Sequence, residues 1–165
     1  MKETPKNVIN RVKQVLEKMA IGCSGEEEGE DHLRVFSDLK YELDPGIIAR
    51  VYVDIDKDSQ YLRTQIVFKE PVPNEFVSQV DELIVRLNFH AGMGHGIQYP
   101  GIHRLSFLYN ILLGDFAFDD IEFEKVIREI HGKAREMYKA VRGLTEDQFP
   151  LETIVQKFEK TVKHI

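Results

Sequence analysis

The sequence predicts an α+β fold, an antiparallel sheet of about five strands packed against helices. Three observations predict it. Apolar residues recur at helical spacing early in the chain, again between residues 76 and 87, and again between 123 and 141. They alternate with period two between residues 33 and 68 and between 97 and 111. Turn-forming residues separate the blocks. The order is therefore helix, three strands, helix, two strands, helix, with an additional C-terminal helix. The 165 residues suit one domain spanning 1–165, with residues 144–165 as the additional helix.

The first helix is marked by Thr4 as cap and Pro5 in the first turn, followed by a stripe of Val8, Ile9, Val12, Val15, Leu16 and Met19. Gly22 is its expected stop. The stretch from Cys23 to Asp31 holds five acids and two glycines without an apolar period, and reads as a solvated loop. A three-stranded antiparallel meander follows. Leu39, Tyr41 and Leu43 alternate up to the turn Asp44-Pro45-Gly46, then Ile47, Ala49, Val51, Val53 and Ile55, then Leu62, Thr64, Ile66 and Phe68.

Helical spacing returns from Pro73 to Phe89 through Phe76, Val77, Val80, Leu83, Ile84 and Leu87, with Gly92 and Gly94 beyond it. Ile97 and Tyr99 then precede Pro100-Gly101, and His103, Leu105, Phe107, Tyr109 and Ile111 follow, which reads as a hairpin. A three-residue loop pairs Ile97 with Leu105 and Tyr99 with His103 and keeps one face apolar, so that register is expected. Asp119 and Glu122 open a third helix with the stripe Phe123, Val126, Ile127, Ile130, Ala134, Met137 and Val141, which Gly143 is expected to end. Its acids lie early and its cations late, as the helix dipole favours. Pro150 opens the last helix, whose apolar set is Leu151, Ile154, Val155, Phe158, Val162 and Ile165. That stripe can cover the domain's own core or a partner's.

Composition narrows the function. Apolar residues are 42% and charged residues 30%, which excludes wholesale disorder. Lys and Arg number 22 against 28 Asp and Glu, a net charge of −6, and this argues against nucleic acid as partner. One cysteine, Cys23, allows neither an internal disulfide nor a cysteine-based zinc site and suits a reducing compartment. No stretch has the length and apolarity of a signal peptide or a membrane span, so a cytoplasmic location and no membrane partner are expected.

Four patterns invite chemistry and each has a plainer reading. Asp54, Asp56 and Asp58 carry the spacing that opens a calcium loop. Ser59 stands where the bend requires Gly, and Gln65 where a bidentate Glu belongs, so a polar hairpin turn is expected. In the expected register His95 faces Phe107 and His103 faces Tyr99, about 13 Å apart, too far for one ion to bridge. His90 sits at a helix C-terminus, where imidazolium is favoured for structural reasons. Gly92, Gly94 and Gly96 follow a helix and precede a strand, the reverse of a phosphate loop. Cys23 lies past a helix end, where a thiolate gains nothing. No Gly-x-Ser-x-Gly, His-Glu-x-x-His or Gly-x-Gly-x-x-Gly occurs. No catalytic residue, metal or cofactor is assigned.

The element order, with Leu87-Asn88 closing the second helix and a hairpin leading into a long amphipathic third, resembles the YbjN-like family and the related fold of type III secretion chaperones over roughly residues 5 to 143. The resemblance implies a small acidic protein, commonly dimeric, that binds extended segments of other proteins without catalysis. The helix from Pro150 to Ile165 is not part of the basic pattern.

The residues offer one surface for such binding. If Val51, Val53, Ile66, Leu105 and Phe107 point at the helices, the opposite positions hold Ile48, Tyr52, Tyr61, Val67, Leu108 and Leu112 among Arg50, Arg63, Arg104 and Asn110. Aromatic residues and Arg are the types enriched at protein interfaces. The expectation is a non-catalytic protein-interaction or chaperone-like module, a homodimer that binds a segment of another protein through Ile48, Tyr52, Tyr61, Val67, Arg104, Leu108 and Leu112. The alternative is a small-ligand-binding protein or enzyme with a pocket near His95, Tyr99 and His103.

Overall fold

Alternation along the strands decides which side of the sheet the helices take. The computed structural model describes residues 4–40, 48–56, 61–113 and 118–163, with Lys40 and Ile48 as backbone only. Its elements are α1 (Pro5–Lys18), β1 (Gly25–Glu28), β2 (His32–Lys40), β3 (Ile48–Asp56), β4 (Tyr61–Pro71), a 3-10 turn (Asn74–Phe76), α2 (Val77–Ala91), β5 (His95–Gln98), β6 (Arg104–Leu112), α3 (Asp120–Thr145) and α4 (Leu151–Val162). The strands form one antiparallel sheet in the order β1-β2-β3-β4-β6-β5.

The α+β class and the expected element order hold, with a sixth strand added. Ala49, Val51, Val53 and Ile55 on β3, Leu62, Ile66 and Phe68 on β4, and Leu105 and Phe107 on β6 are all buried, each set on the same face. α1 packs over β2 and β3, α3 over β4 and β6, and α2 beside β5. Each of the Val, Leu, Ile and Phe side chains among them contributes roughly 1.5–3 kcal/mol by leaving water.

The sixth strand is β1, in the stretch expected to be a loop. It is Gly-Glu-Glu-Glu, an edge strand exposed beyond its glycine, and so carries no apolar alternation for a sequence reading to find. Its charges are placed all the same. Glu26 pairs with Lys13 of α1 on the helical face, while Glu27 lies 3.6 Å from Arg34 on the other.

The hairpin register is one residue away from the expected one. Ile97 pairs with Ser106 and Gln98 with Leu105. The loop is Pro100 to His103, closed by the Tyr99 amide donating to the Arg104 carbonyl at 3.1 Å and the His103 amide donating to the Tyr99 carbonyl at 2.9 Å. Gly101 at φ +82° and His103 at φ +48° make this turn. Gly96 explains the choice. It faces the helices, and a methyl group there would overlap Sδ of Met137 on α3. A one-residue shift sends every side chain of the strand to the other face, so Ile97 and Tyr99 lie away from the helices, not among them.

Helix ends differ in smaller ways. α1 stops at Lys18, and the chain reverses through Ala20 and Gly22, both at positive φ. The second helix begins as the 3-10 turn and runs to Ala91 before Gly92. Gly143 does not end α3, which continues to Thr145; buried there, it lies close to Phe149 and Ile154. Asp119 caps α3, its Oδ1 accepting from the amides of Ile121 at 2.8 Å and Glu122 at 3.0 Å, and those bonds hold its carboxyl below the usual range.

The additional helix has its answer in α4. Ile154, Val155, Phe158 and Val162 are buried against α2 and α3, and Arg86 of α2 donates to both carboxylate oxygens of Glu152 at 2.7 Å. It completes the chain's own core. The Asp44-Pro45-Gly46 turn, the Lys57 and Asp58 portion of the polar turn, and Ile165 lie outside the described residues.

Asn88 closes the β5 edge. Its amide donates to the Gly96 carbonyl at 2.9 Å and its side-chain oxygen accepts from the Gly96 amide at 2.6 Å, satisfying the backbone groups an incoming strand would use. Asn88→Ala is expected to lower stability by about 1–2 kcal/mol in urea titration, since it strips both bonds from a partly buried strand; an unchanged midpoint would show that water replaces them at no cost.

Candidate functional site: the outer sheet face

The helix-free face of the sheet has two halves of different chemistry. On β2 and β3 the register sets three pairs opposite one another: Arg34 with Asp54, Phe36 with Tyr52, and Asp38 with Arg50. Arg34 holds Asp54 through two bonds, at 2.5 and 3.1 Å, and Arg50 donates to Asp38 at 2.9 Å. The aromatic rings meet tilted at 6.1 Å between them. Diagonally, the Arg34 guanidinium lies 5.2 Å over the Tyr52 ring and that of Arg50 lies 4.9 Å over the Phe36 ring.

This platform is internally neutral. The hydrogen bond to Asp54 foremost raises the Arg34 pKa, against the opposing effect of burial, and the bond to Asp38 raises that of Arg50. Asp54 is only 6% exposed although it sits on the outer face, where Arg34 binds both of its carboxylate oxygens. Tyr52 is thus packed into the platform and presents little free ring surface.

The other half, on β4, β6 and β5, is open and apolar. Tyr61 and Leu112 stand directly opposite at one end, 51% and 64% exposed. Leu108 lies between Gln65 on one side and His95 on the other, and Val67 is beside Ser106. The Gln65 amide donates to the Tyr99 hydroxyl at 2.7 Å, bracing the turn against β4. Arg104 stands opposite Pro71, past an irregularity in the register after Val67.

Six of the seven residues expected to bind a partner therefore lie on this face, while Ile48, opposite Lys40 in the register, is described as backbone only. Tyr61, Val67, Leu108, Leu112 and Arg104 fall in the open half, while Tyr52 belongs to the platform. Sequence reading missed Arg34, Phe36, Asp38 and Asp54 as members, and placed Ile97 and Tyr99 on the wrong face. The signal for the first group was present, since Arg34, Phe36 and Asp38 run in counterphase to Leu33, Val35 and Leu39.

His95, Tyr99 and His103 of the alternative reading do not line the clefts described next. His95 is exposed on the outer face, and His103 is in the turn with Nδ1 3.3 Å from the Gln98 amide. A cleft of about 410 Å³ lies instead between α3 and α4, lined by Lys139, Phe149, Lys157 and Phe158 among others. Another of about 300 Å³ contains Tyr138, whose hydroxyl donates to Glu70 at 2.7 Å and whose ring stacks on Phe68 at 4.4 Å. Among the described residues, no three His, Cys, Asp or Glu side chains are grouped to hold a metal, and no helix is long and apolar enough to cross a membrane. The Cys23 thiol donates to the Gly25 carbonyl at 3.4 Å.

No family model matches the chain, and no curated protein matches it. Its fold is similar to the crystal structure of YbjN from E. coli, with a TM-score of 0.49 and 11% sequence identity, covering 94% of this chain and 92% of that one.

The two halves of the face predict unequal costs of mutation. Asp54→Ala is expected to destabilise by about 1–3 kcal/mol, because it leaves the Arg34 guanidinium without its buried acceptor. Asp38→Ala, at the exposed end of the platform, should cost below about 1 kcal/mol. Equal costs in chemical denaturation would contradict the platform described here.

Proposed function

We propose that this chain is a non-catalytic protein-interaction module, folding as one domain over 1–165, that takes an extended segment of another protein on its outer sheet face. The observation that carries the reading is the Tyr61 and Leu112 pair, two large side chains left half exposed or more and aligned with Leu108 and Val67 on a rigid strand framework. Apolar residues with an aromatic end, interrupted by Arg63 and Asn110, have the make-up of a mixed apolar and basic interface. The platform beside it fixes β3, and through β3 the open half, so the face presents its residues without prior ordering. Ile48, Tyr52 and Arg104 form its margins.

The homodimer in this reading uses another surface. Val85 and Phe89, one turn apart on α2, are 71% and 87% exposed, and their burial between two copies leaves the sheet face free for the client.

Leu108→Asp and Leu112→Asp are expected to abolish segment binding in a pull-down with the native partner while circular dichroism and the melting temperature stay near those of the parent. Val85→Ser with Phe89→Ser should turn a dimer into a monomer by light scattering and leave segment binding intact. Retained binding in the sheet variants would sink the site, and an unchanged mass in the helix variant would sink the dimer.

A further inference from the structure

Building on the proposed segment binding, we infer that the segment is acidic, with two carboxylates flanking apolar residues. Every outer-face side chain on β4, β5 and β6 is apolar, neutral or basic; none is a carboxylate. This is unusual in a chain with net charge −6. The side chains of Arg63 and Arg104 make no ion pair or hydrogen bond among the described residues. Asp54 stands across from Arg63 in the β3–β4 register, yet it gives both carboxylate oxygens to Arg34. Asp38 is held by Arg50, with Lys69 4.0 Å away, and Asp56, exposed at the end of β3, stands opposite His32. The platform thus takes up Asp54 and Asp38 and leaves the Arg63 and Arg104 guanidiniums to an incoming group.

The spacing sets the segment's pattern. Arg63 lies beside Asn110, so Arg63 and Arg104 are six β6 positions apart, about 20 Å at the usual strand rise. An extended segment spans that distance in about six residues, and side chains two apart point the same way. Carboxylates at positions i and i+6 then meet Arg63 and Arg104, while apolar residues at i+2 and i+4 lie over Leu108 and Val67. Arg favours carboxylate through its paired donors. A second copy of this face fits poorly, because it would set cation against cation. Long-range repulsion from the acidic body fades over about 8 Å at physiological salt, which leaves local complementarity to decide.

The test is panning of a random twelve-residue phage-displayed library on the full-length chain, with parallel panning on Arg63→Glu/Arg104→Glu and on Leu108→Asp. The inference expects enriched segments with acids six apart around alternating apolar residues. Their affinity should drop about tenfold on the double charge reversal, and be recovered there by peptides with Lys in place of the acids. Segments lost on Leu108→Asp but without acidic bias would overturn the charge inference and leave the interaction reading standing. No enrichment on the parent chain would overturn both. A parent dimer in light scattering that Leu108→Asp makes monomeric would assign the face to a second copy instead and overturn the acidic segment.

Discussion

One-sided coverage of the sheet is the constraint on which the rest depends. Strands with clean alternation bury one row of side chains and must present the other somewhere. Here all four described helices serve the same row. α1, α2 and α3 pack toward it, and α4 fills the space between α2 and α3 without crossing to the far side. The far side then has to be stable in water by its own means. β2 and β3 manage this with paired charges and rings that cover one another, so that even Asp54 is buried there. β4 and β6 do not: Tyr61 and Leu112 stay exposed, and Val67 and Leu108 are half-buried.

That division links stability to function. Arg34, Asp54, Phe36, Tyr52, Asp38 and Arg50 satisfy one another and are a poor choice for a binding surface, since a partner would have to displace bonds already made. Their effect on the neighbouring half is electrostatic. By taking up Asp54 and Asp38 they leave the Arg63 and Arg104 side chains without an ion pair among the described residues. The edges are managed separately. Asn88 occupies the backbone of Gly96 on β5, and three consecutive glutamates make β1 a poor template for an apolar strand. Both edges are therefore poor places for strand addition.

Much of the fold was legible because periodicity reports burial. The α1, α2 and α3 stripes and the inner rows of β3 and β4 were recognisable from apolar spacing, and so was the outward position of Tyr61, Val67, Leu108 and Leu112. What escaped were elements whose signal is not apolar. β1 is held by pairing with β2 and by ion pairs, which composition presents as a charged loop. The hairpin register turned on Gly96, whose role becomes clear only when Met137 arrives from α3, forty-one residues on in the chain. Gly143 looked like a stop because a glycine that favours close packing and one that ends a helix are the same letter. The docking of α4 was open for a related reason, since an amphipathic stripe records that it is covered and not by what.

The central claim is that the outer face of β4 and β6 stands open in the folded chain. Solvent paramagnetic relaxation on a methyl-labelled sample, with a soluble gadolinium chelate, measures that openness residue by residue. The account predicts strong relaxation at Leu112, intermediate relaxation at Leu108 and Val67, and protection at Leu105, Ile66 and Leu83. Protection of Leu108 and Leu112 to the level of Leu105 would mean that the face is covered, and would contradict the account.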